Sequence, residues 1–357
     1  MDADLVINVL SRTVFSPMFA IWVPIFYISQ RLAWTSPTVI NSFIYFGLVA
    51  TISTWRFVDS AWRNGTIFRQ KVDWGEQVVV ITGGAGGIGG LLANTLAMRG
   101  VTVAVLDVKP LETENSNITS YKCDISNWAE VEAVSAQIVE ELGHPTILVN
   151  NAGVVQGKLI TDLTEKDVKE TVGVNLLSHF WTLKAFLPDM IKQKTGHVVT
   201  VASAMGIVGV AQMSDYNATK AALINLNESL RCELEHIHQT PKIRTSLVIT
   251  GYVTTPMFSK SSYGKLLSSN YFYRFFVPGV QPNDIVKDII KALDAHESRE
   301  VLLPYYVNIL RPAVALAPSW LRDILQWISQ ADYMMRDFAK GGERAQTSAS
   351  AEGLKTR

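Results

Sequence analysis

Cysteine is almost missing from this chain: Cys123 and Cys232 are the only two in 357 residues. Two cysteines cannot make a disulfide framework, and neither stands in a metal-ligand spacing. The six histidines include the pair His236 and His238 but no HExxH pattern, so no metal site is expected. Charge is scarce as well, at 18% of residues, below the roughly 25% of an ordinary soluble domain. Lys+Arg 32 balances Asp+Glu 32, and without a basic excess a nucleic-acid partner is not expected. High apolar content at zero net charge excludes intrinsic disorder. So little cysteine suits a reducing compartment, on the cytosolic side of a membrane.

Apolar sequence is abundant at the front. Eighteen uncharged residues separate Arg12 from Arg31, and 24 separate Arg31 from Arg56. A spanning helix takes about 20 mostly apolar residues, so both are candidates. The second, with Val39–Thr54, is the better one; Pro17 and Pro24 suit a kinked or interfacial helix in the first, which includes Val14–Ile28. Trp22, Trp34, Trp55 and Trp62 lie where an aromatic belt would. Asp2 and Asp4, with no small-residue cleavage pattern after the apolar run, argue against a cleaved signal peptide. Arg56, Arg63, Arg69 and Lys71 follow, which places the remainder of the chain in the cytosol. The N-terminus is then cytosolic if both stretches span and lumenal if one does. Buried core helices are the competing reading.

From Trp74 the pattern changes. Val78–Ile81, Val101–Leu106, Thr146–Val149, His197–Val201 and Thr245–Ile249 are strand-like and separated by amphipathic stretches, which predicts an α/β fold with a doubly wound parallel sheet. The expected organisation is a membrane anchor over 1–74, a nucleotide-binding catalytic domain over 75–300, an amphipathic membrane-docking extension over 301–340 and a disordered tail over 341–357. In the extension, Pro304, Pro312 and Pro318 interrupt the apolar run Val301–Ile328; a packed extension of the sheet competes with the interfacial reading.

The first strand runs into Thr82-Gly83-Gly84-Ala85-Gly86-Gly87-Ile88-Gly89 and then an apolar helix. Glycines let the backbone approach a pyrophosphate, and the helix N-terminus supplies amide donors and a favourable dipole. The second strand ends in Asp107, 18 residues beyond Gly89, close to the spacing of a ribose-hydroxyl acceptor in a Rossmann-type fold. Its charge repels a 2′-phosphate, so NAD is the preferred cofactor; Lys109 nearby leaves NADP open.

Five further signals come in order. Cys123-Asp124-Ile125-Ser126 stands after the third strand, and Asn150-Asn151-Ala152-Gly153 ends the fourth. Asn175 lies in a helical segment, Ser203 ends a strand, and Tyr216-Asn217-Ala218-Thr219-Lys220 opens the next helix. Singly each is unremarkable. In this order, behind a glycine loop, they resemble the short-chain dehydrogenase/reductase family over residues 75–260. The resemblance implies a catalytic tetrad of Asn175, Ser203, Tyr216 and Lys220. The family's glycine pattern falls on Thr82, Gly83, Gly87 and Gly89. It also implies that Asp124 contacts the adenine ring, that Asn151 lies beside the cofactor, and that Val253 and Thr255 meet the nicotinamide carboxamide. The family's Pro-Gly-x-Val-x-Thr motif reads Thr250-Gly251-Tyr252-Val253-Thr254-Thr255, with Thr250 in the proline position.

The implied chemistry is alcohol oxidation. A phenol with a reference pKa near 10 is a poor base at neutral pH; a Lys⁺ one helical turn away favours the phenolate, as does the positive nicotinamide ring of the oxidised cofactor. Ser203 would hydrogen-bond the substrate oxygen, and Asn175 would position a water. The aromatic stretch Leu266–Val280 stands where the family places a substrate-covering flap. Asn175–Pro188 and Gly196–Ser203 look most like the membrane-bound branch of retinol and 17β-hydroxysteroid dehydrogenases of the endoplasmic reticulum and lipid droplets. That resemblance implies a hydrophobic small-molecule substrate, contact with membrane lipid, and a homo-oligomer built on helices flanking the site. An NADPH-dependent lipid ketone reductase, of 3-ketosphinganine or acyl type, and a non-catalytic membrane or lipid-droplet scaffold are the alternatives. Asn117, Asn217 and Asn227 begin formal glycosylation sequons; Asn217 sits between Tyr216 and Lys220, which a cytosolic catalytic domain reconciles.

Overall fold

A computed structural model of the chain describes residues 2–65, 72–111, 113–255 and 271–333, together with Met335 and Phe338. The expected tail over 341–357, Arg69 and Lys71, and the first part of the aromatic stretch at 266–270 lie outside the described residues. Two compact units emerge, Met1–Phe68 and Arg69–Arg357.

The first unit is helical. Its elements are α1 (Ala3–Arg12), α2 (Pro17–Ala20), α3 (Trp22–Ser29) and α4 (Pro37–Asn64). The Asp2 carboxylate accepts from the Leu5 amide at 2.9 Å and caps α1. Pro17 opens α2 at the first helical position, where proline is tolerated but the residue before it cannot continue a helix. The first apolar stretch is therefore broken: α1 and Pro17–Ser29 meet at 55°. Pro24, inside α3, causes no such break. In α4, Ser36 caps the first turn, Pro37 occupies the first position, and Gly65 ends the helix in the left-handed region at φ +59°. At 1.5 Å per residue its 28 residues extend about 42 Å, more than a hydrocarbon core of about 30 Å. Among the described helices, α4 is the one long and apolar enough to cross a membrane by itself. The Tyr45 hydroxyl on α4 donates to the Val14 carbonyl. The apolar side chains of α4 point largely outward, among them Ile44, Leu48, Ile52 and Trp55.

The second unit is a seven-stranded parallel sheet. Its strands are β1 (Val78–Thr82), β2 (Thr102–Asp107), β3 (Ile118–Lys122), β4 (Ile147–Asn150), β5 (Gly196–Ser203), β6 (Ile243–Thr250) and β7 (Glu300–Leu303), in spatial order 3-2-1-4-5-6-7. Side chains alternate faces with period two. Val79 and Ile81 of β1, with Val103 and Val105 of β2, pack under α5 (Gly87–Ala97). Val80, Ala104 and Leu106 face α6 (Trp128–Leu142) and α8 (Ser178–Gln193) on the other side. Between α6 and α8 lies α7 (Glu165–Val172), and α9 (Ser214–Cys232) covers β5 and β6. Burial of both faces is why these strands read as unbroken Val/Ile/Leu runs.

The chain order reverses between β1 and β4, which pair through Val79–Ile147 and Ile81–Val149. In open α/β sheets ligands bind outside the carboxyl ends of the strands at such a point. After β6, α10 (Tyr271–Phe276) holds part of the aromatic stretch, and α11 (Pro282–Asp294) packs beside α5. Near the entry of the unit, the Trp74 indole donates to Asp294 Oδ1 at 2.9 Å, and Arg99 on the same side meets that oxygen at 3.1 Å.

The boundary expected after residue 300 falls inside β7, which pairs with β6 through Val248–Val301 and Thr250–Leu303. The front of the apolar run 301–328 is thus the edge of the sheet, because Val301, Leu302 and Leu303 complete a ladder that β6 leaves open. Beyond β7 come α12 (Tyr306–Leu316) and α13 (Ser319–Ser329). Pro312 sits within α12 without ending it, whereas Pro318 caps α13. No residue of α13 is buried, and Trp320, Ile324, Leu325 and Trp327 are exposed along it.

Candidate active site

The glycine loop works through close approach. Gly83 has φ +67°, and a Cβ there would meet the Ala152 Cα at 2.8 Å; at Gly89 a Cβ would lie 2.4 Å from the Gly83 carbonyl oxygen. Both positions hold the loop against the end of β4. Thr82 and Asn151 clasp the two strand ends. The Thr82 hydroxyl oxygen accepts from the Asn151 and Ala152 amides at 3.0 and 3.2 Å. In return, Asn151 Nδ2 donates to the Thr82 and Gly83 carbonyls at 3.1 and 3.2 Å. The first turn of α5 has no side-chain cap, so its amides stay open toward an anion.

A cavity of about 1360 Å³ runs along the carboxyl ends of the strands. Gly83, Gly87, Ile88 and Asp107 line one end, with Asp124 and Asn151 next to them; Tyr216, Lys220, Val253 and Thr255 line the other. Asp107 closes β2, and its two carboxylate oxygens accept from the Ala85 and Lys109 amides at 3.0 Å each. Those bonds fix the carboxylate at the wall and leave lone pairs for a diol. Asp124 is held by the Ser126 hydroxyl at 2.7 Å. A narrow glycine cradle, an acid at the end of β2 and a long cavity ending in a Tyr–Lys pair fit a nicotinamide dinucleotide.

Asn175 and Ser203 stand behind the cavity lining. Ser203 ends β5, accepts from the Met205 amide at 3.2 Å and shares a hydrogen bond with Tyr216. Tyr216 and Lys220 lie on the first turns of α9, one turn apart, with the Lys220 Nζ 5.6 Å from the phenol ring centre. The Lys220 ammonium donates to the Val201 carbonyl at 2.9 Å. Asn175 sits in a π-helical turn, Gly173–Leu177, a local widening that recurs at functional sites. Its side chain is fully buried and committed: Oδ1 accepts from the Val154 amide at 2.7 Å, and Nδ2 donates to the Val154 carbonyl at 2.9 Å and to Thr219 at 3.3 Å. Asn175 therefore braces the segment after β4 against α9. An ideal Cβ on Gly153 would lie 3.5 Å from Asn175 Oδ1 and 3.7 Å from Lys220 Nζ, so all three converge. Thr250, in the expected proline position, pairs within the sheet with Ser203 and Leu303.

Electrostatics differ from the expectation. Burial pushes the Tyr216 phenol up to about 12, outweighing the Ser203 hydrogen bond that lowers it. Burial also pushes the Lys220 ammonium down to about 8. Within the protein by itself, desolvation governs this pair, and the phenolate needs positive charge brought in with the ligands.

Two histidines are buried in different surroundings, His179 near Lys220 and His197 at the start of β5 beside Ser246 and His296. His179 on α8 is pushed down to about 3 by burial and by the Lys220 charge. His197 on β5 is pushed down to about 3 by burial, with His296 and Arg244 adding to it. Both stay neutral in the fold but charge in the unfolded chain near pH 6.5. The unfolded state then binds more protons, so stability is complete above pH 6.5 and falls as pH drops toward 3. Each costs about 2 kcal/mol by pH 5. Urea unfolding of the detergent-solubilised chain between pH 7 and pH 5 checks this; a flat profile in both native protein and His179→Gln would refute it.

Two side chains at the substrate end carried no sequence signal. Phe338 lines the cavity, and Met335 is buried with Tyr216, Val210 and Met213 in one cluster. Both lie within the expected membrane-docking extension, where no periodicity or motif sets them apart.

Comparison with known proteins agrees with this geometry. The family pattern described as short chain dehydrogenase matches residues 77–265, just over half the chain. Short-chain dehydrogenase/reductase family 16C member 6 of Bos taurus is 38% identical over 204 residues, covering 54% of this chain and 64% of that protein. Retinol dehydrogenase 10 of Homo sapiens is 30% identical over 287 residues, covering 71% of this chain and 82% of that protein. A solved 4-hydroxyisoleucine dehydrogenase complexed with NADH shares the fold, with a TM-score of 0.55 and 23% identity over 63% of this chain and 96% of its own. The chain belongs to the short-chain dehydrogenase/reductase family and is an NAD(P)-dependent oxidoreductase.

Proposed function

We propose that this protein is a membrane-anchored dehydrogenase that oxidises a lipophilic alcohol with NAD⁺, at the cytosolic face of the endoplasmic reticulum or a lipid droplet. The observation that carries the proposal is the junction at Tyr216: the Ser203–Tyr216–Lys220 group meets an apolar wall of Val155 and Phe338, backed by the buried Met213 and Met335. A hydroxyl on an apolar body suits that junction. Ser203 would orient the substrate oxygen, and Tyr216 would take its proton, with Lys220 supplying charge one turn away. The bound nicotinamide ring supplies the hydride acceptor and a positive charge. Asp107 would accept from the ribose hydroxyls, and the same carboxylate opposes a 2′-phosphate.

Several features support the membrane reading. The 28 residues of α4 carry exposed apolar side chains from end to end, and α13 presents two tryptophans to the outside. Asn227 is buried in α9 and Asn217 donates to the Val210 carbonyl, so a glycan at either sequon would conflict with the fold, a conflict that cytosolic placement removes. A homo-oligomer belongs to the same proposal, with the apolar groove between α8 and α9, along Phe180, Leu187 and Leu226, as its contact.

The test is turnover by the microsomal protein with NAD⁺ and NADP⁺ against retinols, hydroxysteroids and long-chain alcohols. NAD⁺-dependent oxidation is the expected result, and Asp107→Ala should narrow the preference for NAD⁺ over NADP⁺ about tenfold or more. A native enzyme that prefers NADP(H) and reduces ketones would replace the proposal with the reductase reading.

A further inference from the structure

The segment after α13 turns back onto the catalytic residues. Gln326 donates to the Gly209 carbonyl at 3.0 Å and to Asp332 Oδ1 at 2.9 Å, and the Ala211 amide donates to the same Asp332 oxygen at 3.1 Å. This clasp pins the turn at Ala331–Tyr333 to the loop between β5 and α9. Just beyond it, Met335 is completely buried in the cluster that contains Tyr216, and Phe338 packs on that cluster while lining the cavity. The absence of a side chain at Gly157 makes room for them. Gly157, at φ +68°, would with a Cβ come within 2.4 Å of the Phe338 ring and 3.1 Å of the Met335 methyl.

We infer that Phe338, held in place by the buried Met335 behind it, is a specificity-determining residue, forming the apolar end wall beside Tyr216 and setting how much bulk next to a carbinol carbon can reach the phenol. The inference rests on the dehydrogenase reading above and deepens it. Neither side chain carries a group that could take part in proton transfer, so their effect is on shape. A ring alcohol places bulk directly at the carbinol carbon, whereas a linear primary alcohol does not. Shortening Phe338 should therefore favour the first over the second. The clasp gives an independent handle, because Asp332 holds the segment without lining the cavity.

The experiment uses the full chain in detergent with testosterone and decanol as probes. Phe338→Ala should raise kcat/KM for testosterone relative to decanol by about tenfold, with NADH affinity unchanged. Asp332→Ala should move the ratio the same way. A ratio that stays put in both variants overturns the inference. If Phe338→Ala does not fold, Phe338→Leu takes its place, with a smaller shift expected in the same direction. A second readout needs no turnover: acrylamide quenching of bound NADH fluorescence should rise in Phe338→Ala, and unchanged quenching overturns the end wall. A native chain that binds NADH yet oxidises neither probe nor any alcohol of the wider panel defeats the proposed function, and the quenching result then decides the wall by itself.

Discussion

Tyr216→Phe is expected to remove turnover, by about 10³-fold or more, while NADH binds as it does to the native protein. The substitution deletes one oxygen from a ring that is only 6% exposed, so the packing around α9 is kept. What disappears is the group that holds or moves the substrate proton, together with the hydrogen bond to Ser203. Ser203 keeps the Met205 amide and a 3.4 Å bond to the Thr250 carbonyl, so its position survives the change. The glycine cradle and Asp107 are untouched. Fluorescence titration with NADH and steady-state rates on one preparation separate the two effects. Turnover above a hundredth of native would remove Tyr216 from the chemistry.

Gly89→Ala should produce the converse: a weakened hold on the cofactor, by about 100-fold, with the Tyr216 end intact. The added carbon would lie 2.4 Å from the Gly83 carbonyl oxygen and 2.6 Å from Asn151 Nδ2. Neither neighbour can yield cheaply, since one is backbone and the other is tied to two carbonyls across the strand ends. The loop must open, and it opens where a pyrophosphate would sit. Overpacking of this kind also costs stability, about 1–3 kcal/mol. Isothermal titration with NADH reads the affinity and denaturant unfolding reads the stability. Native affinity in a folded variant would show that the glycine spacing is only a turn.

The parts of the fold legible in the sequence are those whose physics is local. β1, β2, β4, β5 and β6 are buried on both faces, so each reads as an apolar run, with bounds displaced by at most two residues. β3 was placed only by the Cys123-Asp124 motif after it, because Ile118-Thr-Ser-Tyr-Lys122, at the sheet edge, buries only Ile118 and Tyr121 and so makes no apolar run. β7 was hidden: four residues at the front of a longer apolar run carry no period of their own, and only the open edge of β6 makes them a strand. The catalytic residues were legible because their chemistry demands particular side chains at strand ends and on one helix turn. The raised Tyr216 phenol was not, since burial depends on what the rest of the chain packs around it. The same holds for Met335 and Phe338, whose place beside Tyr216 is fixed by a hydrogen-bonded turn far along the chain.

The Trp74–Asp294–Arg99 contact decides where this chain can be cut. Trp74 packs on the sheet core and donates its indole proton to Asp294. It thereby ties the residues ahead of β1 to the end of α11. A truncation starting at Val72 keeps that tie and leaves the whole first helical unit behind. One starting at Val78 looks tidier on a strand map but uncovers the flank of α5 and α11 and strips Asp294 of its indole donor. A shortened form for crystallisation or exchange measurements should begin upstream of Asp73, whose carboxylate accepts from the Gly75 amide at 3.1 Å and sets the turn that delivers the tryptophan.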